Sequence, residues 1–271
     1  MLSKRILTMQ DLSCVGQCSL TVALPVLSAY GIETCVLPTA VLSNHTMFRS
    51  WSYLDLTEET ADIFKHWTGN NFKFDAFLLG YLGKKEIMDV AEICFDSFAA
   101  EKSKIIVDPA FGDNGKLYGG FDGNYVKAMA KLLRRADVIL PNITEACFLT
   151  GSEYKEIYDK NYVERLVEAL GKITKATVVI TGVELNGQIG EAVYDGREIL
   201  YVFNEKLPVR YHGTGDIFAA AFTAEYLGSD DFAKSCDFAG KLVYDCIKST
   251  DPAHTYGVNF EKVLHDRICG K

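Results

Sequence analysis

Short apolar runs separated by longer stretches of helical periodicity set the organisation of this chain. Ile6 to Met9, Thr34 to Leu42, Ala76 to Leu82, Ile105 to Val107, Val138 to Leu140 and Thr177 to Ile180 read as strands. Helices are expected from about Gly16 to Tyr30, from Thr57 onward, from about Lys85 to Ala100, from about Asn124 to Arg134 and from about Tyr162 to Ile173. Gly31 is a suitable stop for the first, and Thr57-Glu58-Glu59-Thr60 gives the second an acidic first turn. Gly190 to Tyr194 and Ile199 to Phe203 flank Asp195-Gly196, a strong hairpin signal. Two or three helices complete the chain, one from Ile217 and the last from about Phe260 to Ile268. This alternation predicts an α/β fold with a mostly parallel sheet covered by helices on both faces. No linker, low-complexity stretch or repeat divides it, so residues 1–271 are expected to form a single domain.

Polar clusters recur after the apolar runs: Gln10-Asp11, Ser43-Asn44-His45-Thr46, Gly80 to Gly83, Asp108 to Asp113, Asn142 to Glu145, and Thr181-Gly182. In open parallel sheets ligands bind beyond the carboxyl ends of the strands, so these clusters should converge on one edge. The stretch His212-Gly213-Thr214-Gly215-Asp216 belongs to the same edge, because it opens the Ala-rich helix at Ile217. Two glycines around a threonine allow a tight turn whose N–H groups, with the positive end of the helix, make an anion site. A carboxylate beside an anion site needs a task. Asp216 is suited to take a proton from a substrate hydroxyl while Gly213, Thr214 and Gly215 hold a phosphoryl group. The plain alternative is a loop with a helix cap.

Other clusters also admit two readings. Asn142-x-x-Glu145 can organise magnesium near nucleotide phosphates, or it can be a capping box. Asp108 and Asp113 flank a Pro-Ala-Phe-Gly loop and can screen phosphates through magnesium, or simply shape a turn. Asp11 can accept a hydrogen bond from a protonated ring nitrogen or an amino group.

Composition narrows the partners. The chain of 271 residues is 24% charged and 48% hydrophobic, ordinary for a globular protein. A net charge of -8 argues against nucleic acid or an anionic membrane surface. No apolar run approaches the ~20 residues of a membrane span. Met1-Leu2-Ser3-Lys4-Arg5 leads toward a strand and has no signal-peptide character. The eight cysteines form no Cys-x-x-Cys pair, which suits reduced thiols and a cytoplasmic protein; nothing completes a metal set around Cys14 and Cys18. There is no Gly-x-x-x-x-Gly-Lys loop and no Gly-x-Gly-x-x-Gly after the first strand, which counts against a dinucleotide oxidoreductase.

Gly213-Thr214-Gly215-Asp216, late in an α/β chain, resembles the signature of the ribokinase superfamily and of its vitamin-kinase branch. Ser43-Asn44-His45-Thr46 and the Asp108-Pro-Ala-Phe-Gly-Asp113 loop resemble elements of the pyridoxal kinases, and Asn142-x-x-Glu145 matches the superfamily. The resemblance runs from Met9 to about Thr250. It implies a three-layer αβα ribokinase-like fold and ATP-dependent phosphorylation of the hydroxymethyl group of a B6 vitamer. It places Asp216 as base, with Gly213, Thr214 and Gly215 as anion hole. Asp11, Ser43, His45, Thr46, Met47 and Tyr81 would face the vitamin. Asp108, Asp113, Asn142, Glu145, Thr181, Gly182, Gly213 and Gly215 would face ATP, with Asp108, Asp113 and Glu145 toward magnesium. A potassium-like ion at the anion hole and a homodimer are implied in the same way. Gln10-Asp11 departs from the Gln-Ser of the best-known pyridoxal kinases. Aspartate there is similar to hydroxymethylpyrimidine kinases, and Met9 to Leu20 looks most like bacterial pyridoxamine kinases. Pyridoxal, pyridoxamine, pyridoxine and hydroxymethylpyrimidine therefore all remain open. A binding protein without turnover would be expected to lose Asp216.

Overall fold

The computed structural model describes residues 4–270, so the lead-in at Met1-Leu2-Ser3 lies outside the described residues. A nine-stranded sheet runs through the molecule in the order β11-β10-β9-β8-β5-β4-β1-β2-β3. Its strands are β1 (Arg5–Ser13), β2 (Glu33–Leu42), β3 (Tyr53–Asp55), β4 (Phe74–Leu79), β5 (Ala99–Val107), β8 (Val138–Ile139), β9 (Thr177–Leu185), β10 (Gln188–Tyr194) and β11 (Ile199–Glu205). The six from β9 to β2 pair in parallel. Both margins are antiparallel, β3 on β2 and the meander β9-β10-β11 on the other side. A small separate hairpin joins β6 (Gly112–Asp113) to β7 (Lys116–Leu117).

Side chains alternate across the sheet with the two-residue period of a strand. Leu7, Phe77, Leu79, Val107 and Ile139 enter one apolar cluster, and Ile6, Ala76, Leu78, Ile106 and Val138 enter the other. The first cluster is covered by α2 (Glu59–Gly69), α3 (Glu86–Phe98), α4 (Gly123–Leu132), α5 (Ile143–Thr150) and α6 (Lys160–Leu170). The second is covered by α1 (Leu20–Ala29), α7 (Thr214–Ser229), α8 (Phe232–Ser249) and α9 (Glu261–Ile268). The expected three-layer arrangement is present. No helix among the described residues is long and apolar enough to cross a membrane.

Several boundaries differ from the sequence reading. Gln10 and Asp11 belong to β1, which continues to Ser13, rather than to a loop. Their polar groups are met within the strand: Gln10 Nε2 donates to Thr8 Oγ1 at 2.8 Å, and Ser13 Oγ donates to Asp11 Oδ2 at 2.9 Å. Helix α1 begins at Leu20, not Gly16, because Ser19 has φ 50 and cannot be helical. β4 stops at Leu79, which frees Gly80 to Leu82 as a loop. Thr181 and Gly182 lie inside β9, opposite a register shift between Gly190 and Ala192, rather than beyond a strand end. The Asp195-Gly196 turn joins β10 to β11 as expected, with Asp195 Oδ1 accepting from Arg197 N at 3.0 Å.

Candidate active site

The carboxyl ends of the parallel strands face the start of α7. Gly213 is the N-cap of that helix at φ 86, and no side chain caps it. A Cβ on Gly213 would lie 2.0 Å from the Gln17 carbonyl oxygen, so only glycine fits both the conformation and the space. Val258 N donates to His212 O at 3.0 Å and pins the turn from outside. The leading N–H groups of α7, lacking a side-chain cap, form the positive end that an anion would use.

Asp216 sits in the first turn of α7. Burial, then the charges of Asp108 and Asp11, push its carboxyl up to about 8, against which the Ser19 backbone N–H pulls. Asp108 follows the last residue of β5, and its Oδ1 accepts from Ala110 N at 3.1 Å. Burial and the neighbouring Glu145 carry Asp108 well above the usual carboxylate range. Asp11 is 3% exposed and is likewise raised by burial, with Ser19 and Ser13 hydroxyls opposing. Three acids, on β1, just after β5 and on α7, therefore share one electrostatic neighbourhood.

Glu145 is engaged differently. Its Oε2 accepts from Asn142 N at 2.9 Å, and its Oε1 accepts from Phe111 N at 2.8 Å and Gly112 N at 3.4 Å. Asn142 Oδ1 accepts in return from Glu145 N at 3.0 Å, which completes a capping box on α5. Asn142 Nδ2 also donates to Gly112 O at 2.8 Å. Asn142 and Glu145 thus clamp the 108–113 loop. Asn142 further bridges Thr181 on the neighbouring strand, so the residues expected at ATP lie side by side.

Asp113 is exposed, and its carboxylate accepts from Asn114 N and Asn114 Nδ2 at 2.8 and 2.9 Å. Among the described residues no three His, Cys, Asp or Glu side chains converge as a metal set. The expected trio of Asp108, Asp113 and Glu145 is therefore not assembled. Glu145 is occupied by backbone donors, and Asp113 turns to Asn114. Asp108 keeps one carboxylate oxygen, Oδ2, outside the hydrogen bond to Ala110 N, and a hard oxygen ligand of that kind is what a divalent cation would use.

The residues expected at the vitamin divide by exposure. Ser43, Thr46 and Met47 are exposed at the end of β2, and Ser43 Oγ accepts from Ser52 N at 2.9 Å. His45 is 4% exposed. Its Nδ1 accepts from Met47 N at 3.2 Å, and its Nε2 lies 3.3 Å from Tyr256 O. Gly16 touches the same ring so closely that a Cβ there would stand 2.0 Å from His45 Cδ2. Tyr81 is half-buried, packs on Phe121 at 5.3 Å between ring centroids, and gives its carbonyl to Asp11 N. Cys18 is buried close to Asp11 and Asp216, and Cys14 is exposed.

Two residues escaped the sequence reading. Burial, and after it the charges of Glu145, Asp113, Asp108 and Asp216, push the Tyr118 phenol up, so it stays protonated. Ser19 is buried close to Asp11 and Asp216, where its hydroxyl and its backbone oppose the rise of the two carboxyl groups. Neither lies in a motif with polar neighbours; only the β6-β7 hairpin and the late start of α1 place them.

The chain matches the phosphomethylpyrimidine kinase family over residues 24–260. It is 35% identical to a Bacteroides thetaiotaomicron protein described as a phosphomethylpyrimidine kinase, with a TM-score of 0.93 over 98% of this chain and 94% of that one. A second crystal form of that protein contains pyridoxal. It is also 35% identical to the pyridoxal kinase of Lactobacillus plantarum, with a TM-score of 0.90 over 100% and 98% of the two chains. Pyridoxal kinase from Leishmania donovani, crystallised with ADP and ginkgotoxin, is 25% identical with a TM-score of 0.84, covering 98% and 96%. By sequence and by fold, the chain belongs to the phosphomethylpyrimidine kinase family.

Proposed function

We propose that this protein is a pyridoxal kinase: it transfers the γ-phosphoryl group of ATP to the 5′-hydroxymethyl group of a B6 vitamer, as salvage of the vitamer requires. The observation that carries the reading is Asp216, a carboxyl raised to about 8 in the first turn of a helix whose N–H groups have no side-chain cap. Asp216 takes the hydroxymethyl proton as the oxygen attacks. The N–H groups at Gly213, Thr214 and Gly215 receive the charge that develops on the transferred phosphoryl oxygens. Tyr118 supplies a further donor among the acids, and Thr181, Gly182 and Asn142 line the nucleotide side. Asp108 would hold magnesium together with the phosphates; the ion, when bound, neutralises charge on the phosphoryl oxygens. Glu145 acts through the 108–113 loop that it clamps.

A second reading, hydroxymethylpyrimidine kinase, is favoured by Asp11. This buried acid at the end of β1 is suited to an aminopyrimidine as well as to pyridoxamine. A coupled kinase assay with pyridoxal, pyridoxamine, pyridoxine and hydroxymethylpyrimidine separates the two. Turnover of hydroxymethylpyrimidine far above all three vitamers would replace the first reading by the second.

A further inference from the structure

Six non-glycine residues among those described have positive φ. Four of them, Asn71, Asn114, Asn186 and Asp230, are residue types that enter left-handed turns routinely. The other two are Ser19, at φ 50 and ψ -128, and Ala110, at φ 43. Neither has a side chain that favours such a backbone, so both are strained. Both lie at the proposed active site, each beside one of its carboxyl groups. Ala110 N donates to Asp108 Oδ1 at 3.1 Å. Ser19 is buried next to Asp216, and its backbone opposes the rise of that carboxyl.

We propose that Ser19 and Ala110 are positioning residues, whose strained backbones hold the carboxyl groups of Asp216 and Asp108 in their working places. The surroundings over-determine both conformations. Ser19 is 4% exposed, its hydroxyl meets Asp11, and its carbonyl accepts from Val22 N at 3.0 Å and Ala23 N at 2.8 Å to open α1. Ala110 lies between Asp108 and Phe111, whose N–H is held by Glu145 at 2.8 Å and whose ring is fully buried. The turn at Ala110 therefore delivers successive N–H groups to Asp108 and to Glu145. Glycine would adopt either conformation without strain, but it would also let the backbone leave it. A serine and an alanine at these positions give up stability for a fixed carboxylate.

The inference rests on the proposed roles of Asp216 and Asp108, and its test is separable from theirs. In Ser19→Gly and Ala110→Gly the melting temperature should stay level or rise, while kcat falls roughly ten- to a hundredfold, the scale of a small misplacement of reacting groups. KM for ATP should stay within about threefold in both variants, and so should KM for vitamin in Ala110→Gly; Ser19→Gly also loses the hydroxyl beside Asp11, so its vitamin KM should rise only as far as that of Ser19→Ala. Ser19→Ala keeps the strained backbone but loses the hydroxyl beside Asp11. Its kcat should stay within a few-fold while the vitamin KM rises. Asn71→Gly, at φ 56 on an exposed turn away from the site, is the control and should leave kcat unchanged. Gly variants with parental kcat overturn the proposal. So does a parallel fall of kcat and melting temperature, which marks an ordinary structural role. Whether Asp216 is the base is decided independently by Asp216→Asn.

Discussion

His45 packs against His212 with ring centroids 4.6 Å apart and planes tilted by 49°, which joins the loop after β2 to the residue that precedes Gly213. Both rings are held neutral. Burial lowers His45, and burial followed by His45 lowers His212 to about 4. The Met47 N–H on Nδ1 needs a lone pair there, which assigns the proton to Nε2 facing Tyr256 O. A histidine depressed in the folded state is protonated first in the unfolded chain. Stability is therefore present above about 6.5 and is lost as pH falls toward the folded value. His212→Phe, which keeps a ring, should reduce that loss by up to about 1.4 kcal/mol per pH unit. Denaturant titrations at pH 6.5, 5.5 and 4.5 measure it. Parent and variant with the same slope would remove the neutral pair from the account.

Asp216 gives a dependence in the same direction, on rate. Its carboxyl is raised to about 8, so at neutral pH the free enzyme holds it mostly protonated, whereas a base works deprotonated. The kcat/KM for vitamin should climb about tenfold per pH unit below 8 and level above it. Asp108→Asn removes the largest charge acting on Asp216, so the bend should move to lower pH. Asp216→Asn should abolish the bend and reduce turnover by roughly a hundred- to ten-thousand-fold, with the helix start intact. An Asp216→Asn protein that turns over within a few-fold of the parent would exclude it as base.

Asp11 decides between substrates. If it meets an amino group or a protonated ring nitrogen, Asp11→Ser should weaken pyridoxamine more than pyridoxal. An ionic hydrogen bond is worth about 1.5–3 kcal/mol, so the difference in kcat/KM should be about tenfold or more. Steady-state kinetics on the two vitamers give the answer. Equal losses would make Asp11 a strand residue tied to Ser13 and Ser19.

The order of strands and helices was legible because apolar runs and helical periods alternate, and the converging clusters were legible because each follows a strand. What could not be read was how far a strand continues through polar residues. Gln10 and Asp11 carry loop-like side chains, yet Thr8 and Ser13 satisfy them inside β1. β3 and the β6-β7 hairpin are too short for a period to register. The site was legible in its acids and not in their partners. The two readings of Asn142-x-x-Glu145 are spelled by the same residues, and only the Phe111 and Gly112 N–H groups favour the clamp. Ser19 and Tyr118 carry no local pattern, because their importance lies in dihedral angle and in long-range proximity.

That clamp makes a prediction that separates structure from metal binding. Glu145 is 1% exposed, and both of its oxygens accept backbone N–H groups. Glu145→Gln places an amide NH2 where one of those donors already points. Leaving a buried donor unsatisfied costs about 1–3 kcal/mol. For a chain of this size each kcal/mol shifts melting by roughly 2–4 °C, so Glu145→Gln should melt several degrees below the parent without any ligand. Turnover should fall with it, because Asp108 and Ala110 share the loop that Glu145 holds. A magnesium ligand would behave in the reverse way. Removing its charge would raise the magnesium concentration needed for half-maximal rate and leave the metal-free melting temperature unmoved. Calorimetry of the metal-free protein and a magnesium titration of the rate, on the same preparation, distinguish the two. An unshifted melting temperature with a raised magnesium requirement would return Glu145 to the metal.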